Sequence, residues 1–245
     1  LERLQELGAM EIDIQLEDDN LGEKQDVASS RALFERRAQT ADQALAILNI
    51  YVPEKKGMLD SLAGKPLVEK ELFEKAAENQ DQYMATASRI VTLDKQIAES
   101  KAAVLKVQNQ VEALAPWLSL TVPVSYTGTQ KTAVLIGTMP NPQDQQSILN
   151  LLAGAVPDVE AVDVELISTD KDFTYLAVIC MKQDAGKVEE VLRTGGFSKP
   201  SSPVQKIPEE YKKDLEAEIA KAQEQVKQLE SELAECAVSR QDLEL

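Results

Sequence analysis

Apolar residues recur every seven positions from Tyr83 through Ile90, Ile97, Val104 and Val111 to Leu118, and Leu93, Val107 and Leu114 follow three residues after members of that series. This alternation is a coiled-coil seam. A matching seam returns near the C-terminus, where Ile219, Val226 and Leu233 alternate with Leu215, Ala222, Leu229, Cys236 and Leu243. Two stripes in one chain predict an antiparallel hairpin, because intramolecular pairing has the higher effective concentration. Thr86 and Ser100 interrupt the first seam and predict loosening there.

The same pattern divides the chain into four regions. Residues 1–27 read as a fragment of an inner αβ lobe: Leu1, Leu4 and Leu7 share one side of a helix stopped by Gly8, and Met10, Ile12, Ile14 and Leu16 then alternate with Glu11, Asp13 and Gln15 as a strand. Residues 28–118 form an outgoing helical arm. Its first helix, from about Ser29 to Val52, carries Phe34, Ala38, Ala41, Leu45 and Leu48 on one face and ends at Pro53. Two prolines and two glycines between Pro53 and Pro66 break the rod. The helical pattern then runs from Leu67 to Leu118, about 52 residues or ~78 Å.

Residues 119–204 are predicted to be a compact outer lobe. Strands are expected at Lys131–Thr138, Val159–Ser168 and Phe173–Met181, helices at Pro142–Ala155 and Asp184–Thr194, and a short last strand around Phe197–Ser198. The order βαββα(β) predicts a ferredoxin-like lobe with helices over one face of a four-stranded antiparallel sheet. Residues 205–245 form the returning helix, starting near Pro208. The fold class is therefore α+β, a long antiparallel coiled-coil arm carrying a ferredoxin-like lobe, with part of a second αβ lobe at the other end.

Composition removes several chemistries. Acidic residues outnumber basic ones 42 to 26, for a net charge of −16, which argues against a nucleic-acid partner. The absence of histidine excludes Ser-His-Asp and Cys-His nucleophile systems and histidine-ligated zinc. Cys180, in an apolar strand, and Cys236, on the second seam, read as small buried hydrophobes, and a reducing cytoplasm is the simplest home. The opening LERLQELG is no signal peptide, and no apolar run approaches the ~20 residues of a membrane span.

Candidate sites reduce to ordinary structure. Gly57 to Lys65 echoes a phosphate loop, but Gly57 stands seven residues before Gly64 and Pro66 occupies the magnesium-binding position. The acidic clusters Glu17-Asp18-Asp19 and Glu209-Glu210 lack the spacing of a calcium loop, and the second suits the first turn of a helix. Thr127-Gly128-Thr129 and Thr138 to Gln143 have the residues of a small-molecule pocket and equally those of turns. Trp117 reads as a packing anchor between arm and lobe. No catalytic, cofactor-binding or metal-ligating residue is expected, and no cofactor.

In order along the chain, LERLQELGAMEI (Leu1 to Ile12), EALAPW (Glu112 to Trp117) and SYTGTQKTAVLIGTMP (Ser125 to Pro140) resemble the N-terminal cytoplasmic half of subunit I of bacterial and archaeal V/A-type ATP synthases, the counterpart of vacuolar ATPase subunit a. The resemblance implies a non-catalytic stator at the cytoplasmic face of the cell membrane. It implies E/G peripheral-stalk heterodimers and other subunits of the rotary ATPase as partners, and it names no individual stalk-binding residue. It also implies that the chain is part of a longer protein whose other half enters the membrane. An alternative reading is a ligand-sensing αβ lobe on a coiled-coil signalling arm.

Overall fold

The computed structural model describes residues 27–54, 68–201 and 203–244. The expected inner-lobe fragment up to residue 26, including Glu17-Asp18-Asp19, and the Gly57–Lys65 stretch lie outside the described residues.

The first helix, α1 (Ala28–Tyr51), is followed by α2 (Lys70–Glu78) and α3 (Gln80–Leu114). The expected unbroken helix from Leu67 to Leu118 is thus interrupted at Asn79. There the side-chain Nδ2 donates to the Lys75 carbonyl at 2.8 Å, competing with the helical ladder. At its far end α3 gives way to a 3₁₀ turn at Ala115–Trp117, because Pro116 has no N–H for the next helical bond.

The returning helix is α6 (Pro208–Glu235), and it carries Pro208 at its first position and Glu209 and Glu210 in its first turn. It was expected to run to the C-terminus. Instead a 3₁₀ turn at Cys236–Ser239 leads into a short α7 (Arg240–Leu243). The predicted seam is where α3 and α6 meet. Ile90, Leu93, Ile97, Val226 and Leu233 share one buried cluster, and Val107, Leu114 and Leu215 form another nearer the lobe.

The arm is more than a hairpin. Helix α1 folds beside α3 and places Ala44, Ile47 and Leu48 in the cluster of Ile90, Ile97 and Leu233. Arg37 bonds Gln80 at 2.6 Å and Asp81 at 3.1 Å, and the Tyr51 hydroxyl donates to Asp94 at 3.1 Å. Both sets of contacts keep nearly the same sequence offset, so α1 runs parallel to α3. Among the described residues, the arm beyond Tyr51 consists of α3 and α6.

The lobe consists of β1 (Thr132–Pro140), α4 (Gln145–Ala155), β2 (Val162–Thr169), β3 (Phe173–Met181) and α5 (Ala185–Thr194). Its antiparallel sheet has the order β1-β3-β2. The fourth strand shrinks to one bridge, in which Thr138 and Ser198 exchange two 2.9 Å hydrogen bonds. The next hydrogen-bonded partner along that ladder would be residue 200. It is Pro200, which has no N–H to give, and the strand stops.

Alternation assigns the two faces. Ala133, Leu135, Met139, Leu176, Val178 and Cys180 pack under α4 and α5 against Ile148, Leu152, Val188 and Leu192. Gly137 shares this face because a Cβ there would lie 2.4 Å from the Phe197 ring and 2.5 Å from the Ser198 carbonyl. Gly137→Ala is expected to destabilise the lobe by about 1–3 kcal/mol through overpacking, measured as a lower urea midpoint with unchanged slope.

Candidate functional site: the joint between arm and lobe

The other face of the sheet meets the end of the arm. Ile136 and Ala177 from the sheet join Trp117, Leu120 and Val124 in a buried cluster bordered by Tyr126, Val134, Ile167 and Tyr175. Strand β1 is therefore covered from both sides, which accounts for its run of three buried residues, Leu135, Ile136 and Gly137.

Trp117 is held at the centre by local causes. The Pro116 turn redirects the chain at the end of α3, and the indole meets the Tyr175 ring edge-on, with centroids 5.1 Å apart and planes at 89°. The pairing of β2 with β3 shifts register between Leu166 and Ser168, which re-aims the strand end towards the arm. Ser168 Oγ then donates to the Pro116 carbonyl at 2.8 Å, and Ser119 Oγ donates to the Ile167 carbonyl at 3.3 Å. On the return path, the Ser125 N–H donates to the Val204 carbonyl at 3.2 Å. Both strands of the connection are thus tied to the lobe.

Asp170 organises the β2–β3 turn beneath the joint. Its carboxylate accepts the backbone N–H groups of Asp172 and Phe173 at 2.8 and 2.7 Å and the Tyr175 hydroxyl at 2.9 Å. The backbone donors, Asp172 first, hold its pKa below the ordinary carboxylate value. Its stabilising effect is in place above the ordinary carboxylate range and is lost as pH falls through the lowered folded value. Burial, followed by the bond to Asp170, raises the Tyr175 pKa, so the phenol stays a donor at neutral pH.

The two candidate ligand loops use their polar groups internally. Gly128 has φ of +110°, and its neighbour Thr129 uses its hydroxyl oxygen to accept the N–H groups of Lys131 at 3.3 Å and Thr132 at 3.1 Å, a turn closed on itself. In the second loop Asn141 has φ of 63°, and the buried Thr174 hydroxyl donates to its carbonyl at 2.9 Å. The same Thr174 oxygen accepts the Gln143 N–H at 2.8 Å. Hollows flank both ends of the arm. One of about 390 Å³ lies beside Trp117, Val124, Val204 and Tyr211, and one of about 660 Å³ lies at the opposite end between Phe34, Ala38, Phe73 and Ala77.

Glu209 pairs with Lys213 at 3.8 Å across one helical turn. Among the described residues no cluster of His, Cys, Asp or Glu could hold a metal ion, and no helix is long and apolar enough to cross a membrane. Burial raises the Cys180 pKa, which keeps that thiol in its unreactive protonated form at neutral pH. Sequence reasoning located Trp117 at the joint. It did not find Tyr175, Asp170, Ser168 or Ser119, whose roles depend on a strand irregularity that carries no periodic signal.

No family model matches the chain, and no curated protein matches it. Among solved structures it is similar to one described as the crystal structure of the cytoplasmic N-terminal domain of subunit I, homolog of subunit a, of V-ATPase. That match has 15% identity and a TM-score of 0.49, and covers 89% of this chain and 69% of the other. A likeness at that level carries no argument about function. The chemistry open to the site follows from its own geometry: an apolar joint crossed by two covalent connections, suited to transmitting force between arm and lobe.

Proposed function

We propose that this chain is the cytoplasmic stator part of a rotary, ion-translocating V/A-type ATPase or ATP synthase, and that its role is mechanical and non-catalytic. It anchors E/G peripheral stalks to the membrane sector so that rotor torque is resisted. On this reading residues 1–27 belong to an inner lobe, 28–118 to the outgoing arm, 119–204 to the outer lobe and 205–245 to the returning helix. The observation that carries the proposal is the joint: the arm ends in Trp117 buried against the lobe's sheet, with Ser168 bonded back to Pro116. A load applied to the outer lobe then passes into the paired helices. The resemblance carried by LERLQELGAMEI, EALAPW and SYTGTQKTAVLIGTMP, in that order, supports this reading.

Calorimetry of the whole chain against an E/G heterodimer of a V/A-type ATPase at physiological salt tests the reading. Saturable binding is expected, and its loss on removal of residues 119–204 would map the contact to the outer lobe. A folded chain that takes up no stalk heterodimer would overturn the proposal.

A further inference from the structure

The end of the arm away from the lobe gathers exposed apolar side chains. Phe34 is 57% exposed and Phe73 62%, and Leu33 and Leu72 are exposed beside them in sequence. Helix α2 buries none of its residues, although Leu72, Phe73, Ala76 and Ala77 lie on one side of it. The hollow of about 660 Å³ between α1 and α2 is lined by four alanines, Ala38, Ala41, Ala76 and Ala77, together with Phe34 and Phe73. Exposed apolar residues gathered in this way mark a docking surface, whereas scattered ones do not.

The lining decides which kind of element fits. Helices α1 and α2 spend their backbone groups internally, so a strand laid between them would find no partners for its own N–H and C=O groups. A helix satisfies its own backbone, and a lining of alanines lets its axis come close. The chain enters at this end of the arm. Helix α1 begins at Ala28, and Phe34 stands about 9 Å further along its axis. Ahead of α1 in the sequence, Leu1, Leu4 and Leu7 recur at helical spacing, and the residues from Gly8 to Val27 reach much further than that distance when extended.

Charge points the same way. Residues 1–26 include nine acidic and two basic residues, whereas residues 28–41 include three arginines and one glutamate, so the two stretches attract. Arg31 and Arg37 fall on either side of the stripe of Phe34, Ala38 and Ala41, and Arg37 belongs to the lining of the hollow. We propose that residues 1–7 of this chain occupy the hollow between α1 and α2, with Leu1, Leu4 and Leu7 set against Phe34 and Phe73. Covalent tethering favours this occupant over a second copy, which brings a net charge of −16 against −16. The contact gives α2 a buried face. It also joins the N-terminal segment to α7, whose Leu243 lines the same hollow. It does not rest on the stator reading, and its failure would leave the stalk-binding measurement untouched.

Photo-crosslinking in the full chain tests this. Phe73→p-benzoylphenylalanine keeps an aromatic side chain at an exposed position, and the product is mapped by mass spectrometry. The main product is expected to be an intrachain link to residues 1–7, and the same link is expected from Phe34→p-benzoylphenylalanine. Position 105, where Leu105 is exposed on the two-helix section of α3, should give no such link. L4D/L7D leaves the lining of the hollow intact and should lower the yield at least several-fold. A main link to any other segment, residues 8–26 and 55–67 included, would overturn the proposal. So would a link between two copies that grows with concentration, no link from either position, or an unchanged yield in L4D/L7D. If L4D/L7D fails to fold, the links from positions 73 and 34 decide alone, since they are read with all three leucines in place.

Discussion

Replacing Ile97 and Val104 together with aspartate is expected to unzip the arm. Ile97 is fully buried beside Ile90, Leu93 and Leu233, and Val104 lies in the two-helix section near Val226. Each substitution removes an apolar side chain and sets a carboxylate in the apolar seam, at a cost of about 3 kcal/mol or more apiece. At roughly 2–4 °C per kcal/mol for a chain of this size, the pair should lower the melting temperature by about 12–24 °C. Circular dichroism at the helical minimum is the measurement. An unchanged melt would refute the seam.

Trp117→Ala is expected to have the second-largest effect, and to act on the coupling of arm and lobe more than on either part. The indole is buried against Leu120, Val124, Ile136 and Ala177 and meets Tyr175 edge-on. Truncation of a buried tryptophan removes about 3–5 kcal/mol, and the cavity would open at the joint. The hydrogen bonds from Ser168 to Pro116 and from Ser119 to Ile167 would remain as the lateral ties. Hydrogen exchange should accelerate in residues 114–126 and at Tyr175 while the buried strand residues under α4 and α5 keep their protection. Uniform acceleration across the whole lobe would show that Trp117 supports the lobe itself and would reject the joint as a separate mechanical element.

The seam was legible because heptad spacing is a long-range regularity that every additional turn reinforces. Tyr83 to Leu118 and Leu215 to Leu243 identified the facing stripes of α3 and α6, and the strands at Phe173–Met181 and around Val162–Ser168 were marked by β-branched runs and alternation. The features that escaped are single-residue events. Asn79 breaks a helix through one side-chain bond, and Pro200 ends a strand through one missing donor. Both residues were visible, but their effect depends on which neighbour the backbone would otherwise have bonded. The parallel placement of α1 had no readable signal, since Phe34, Ala41 and Leu48 would suit either direction.

That placement gives the arm an uneven cross-section. Among the described residues three helices run together up to Tyr51, whose hydroxyl bonds Asp94, and two continue from there to Leu114, a span of about 20 residues or ~30 Å. A beam of this kind behaves as a tapered cantilever. Its thick root resists flexure and its slender reach yields first, so elastic deflection gathers between Asp94 and Leu114, where Ser100 already interrupts the seam and Lys101 is tied to Glu230 at 2.7 Å. Under a lateral load the outer lobe, packed against Trp117, would ride on that reach as a unit.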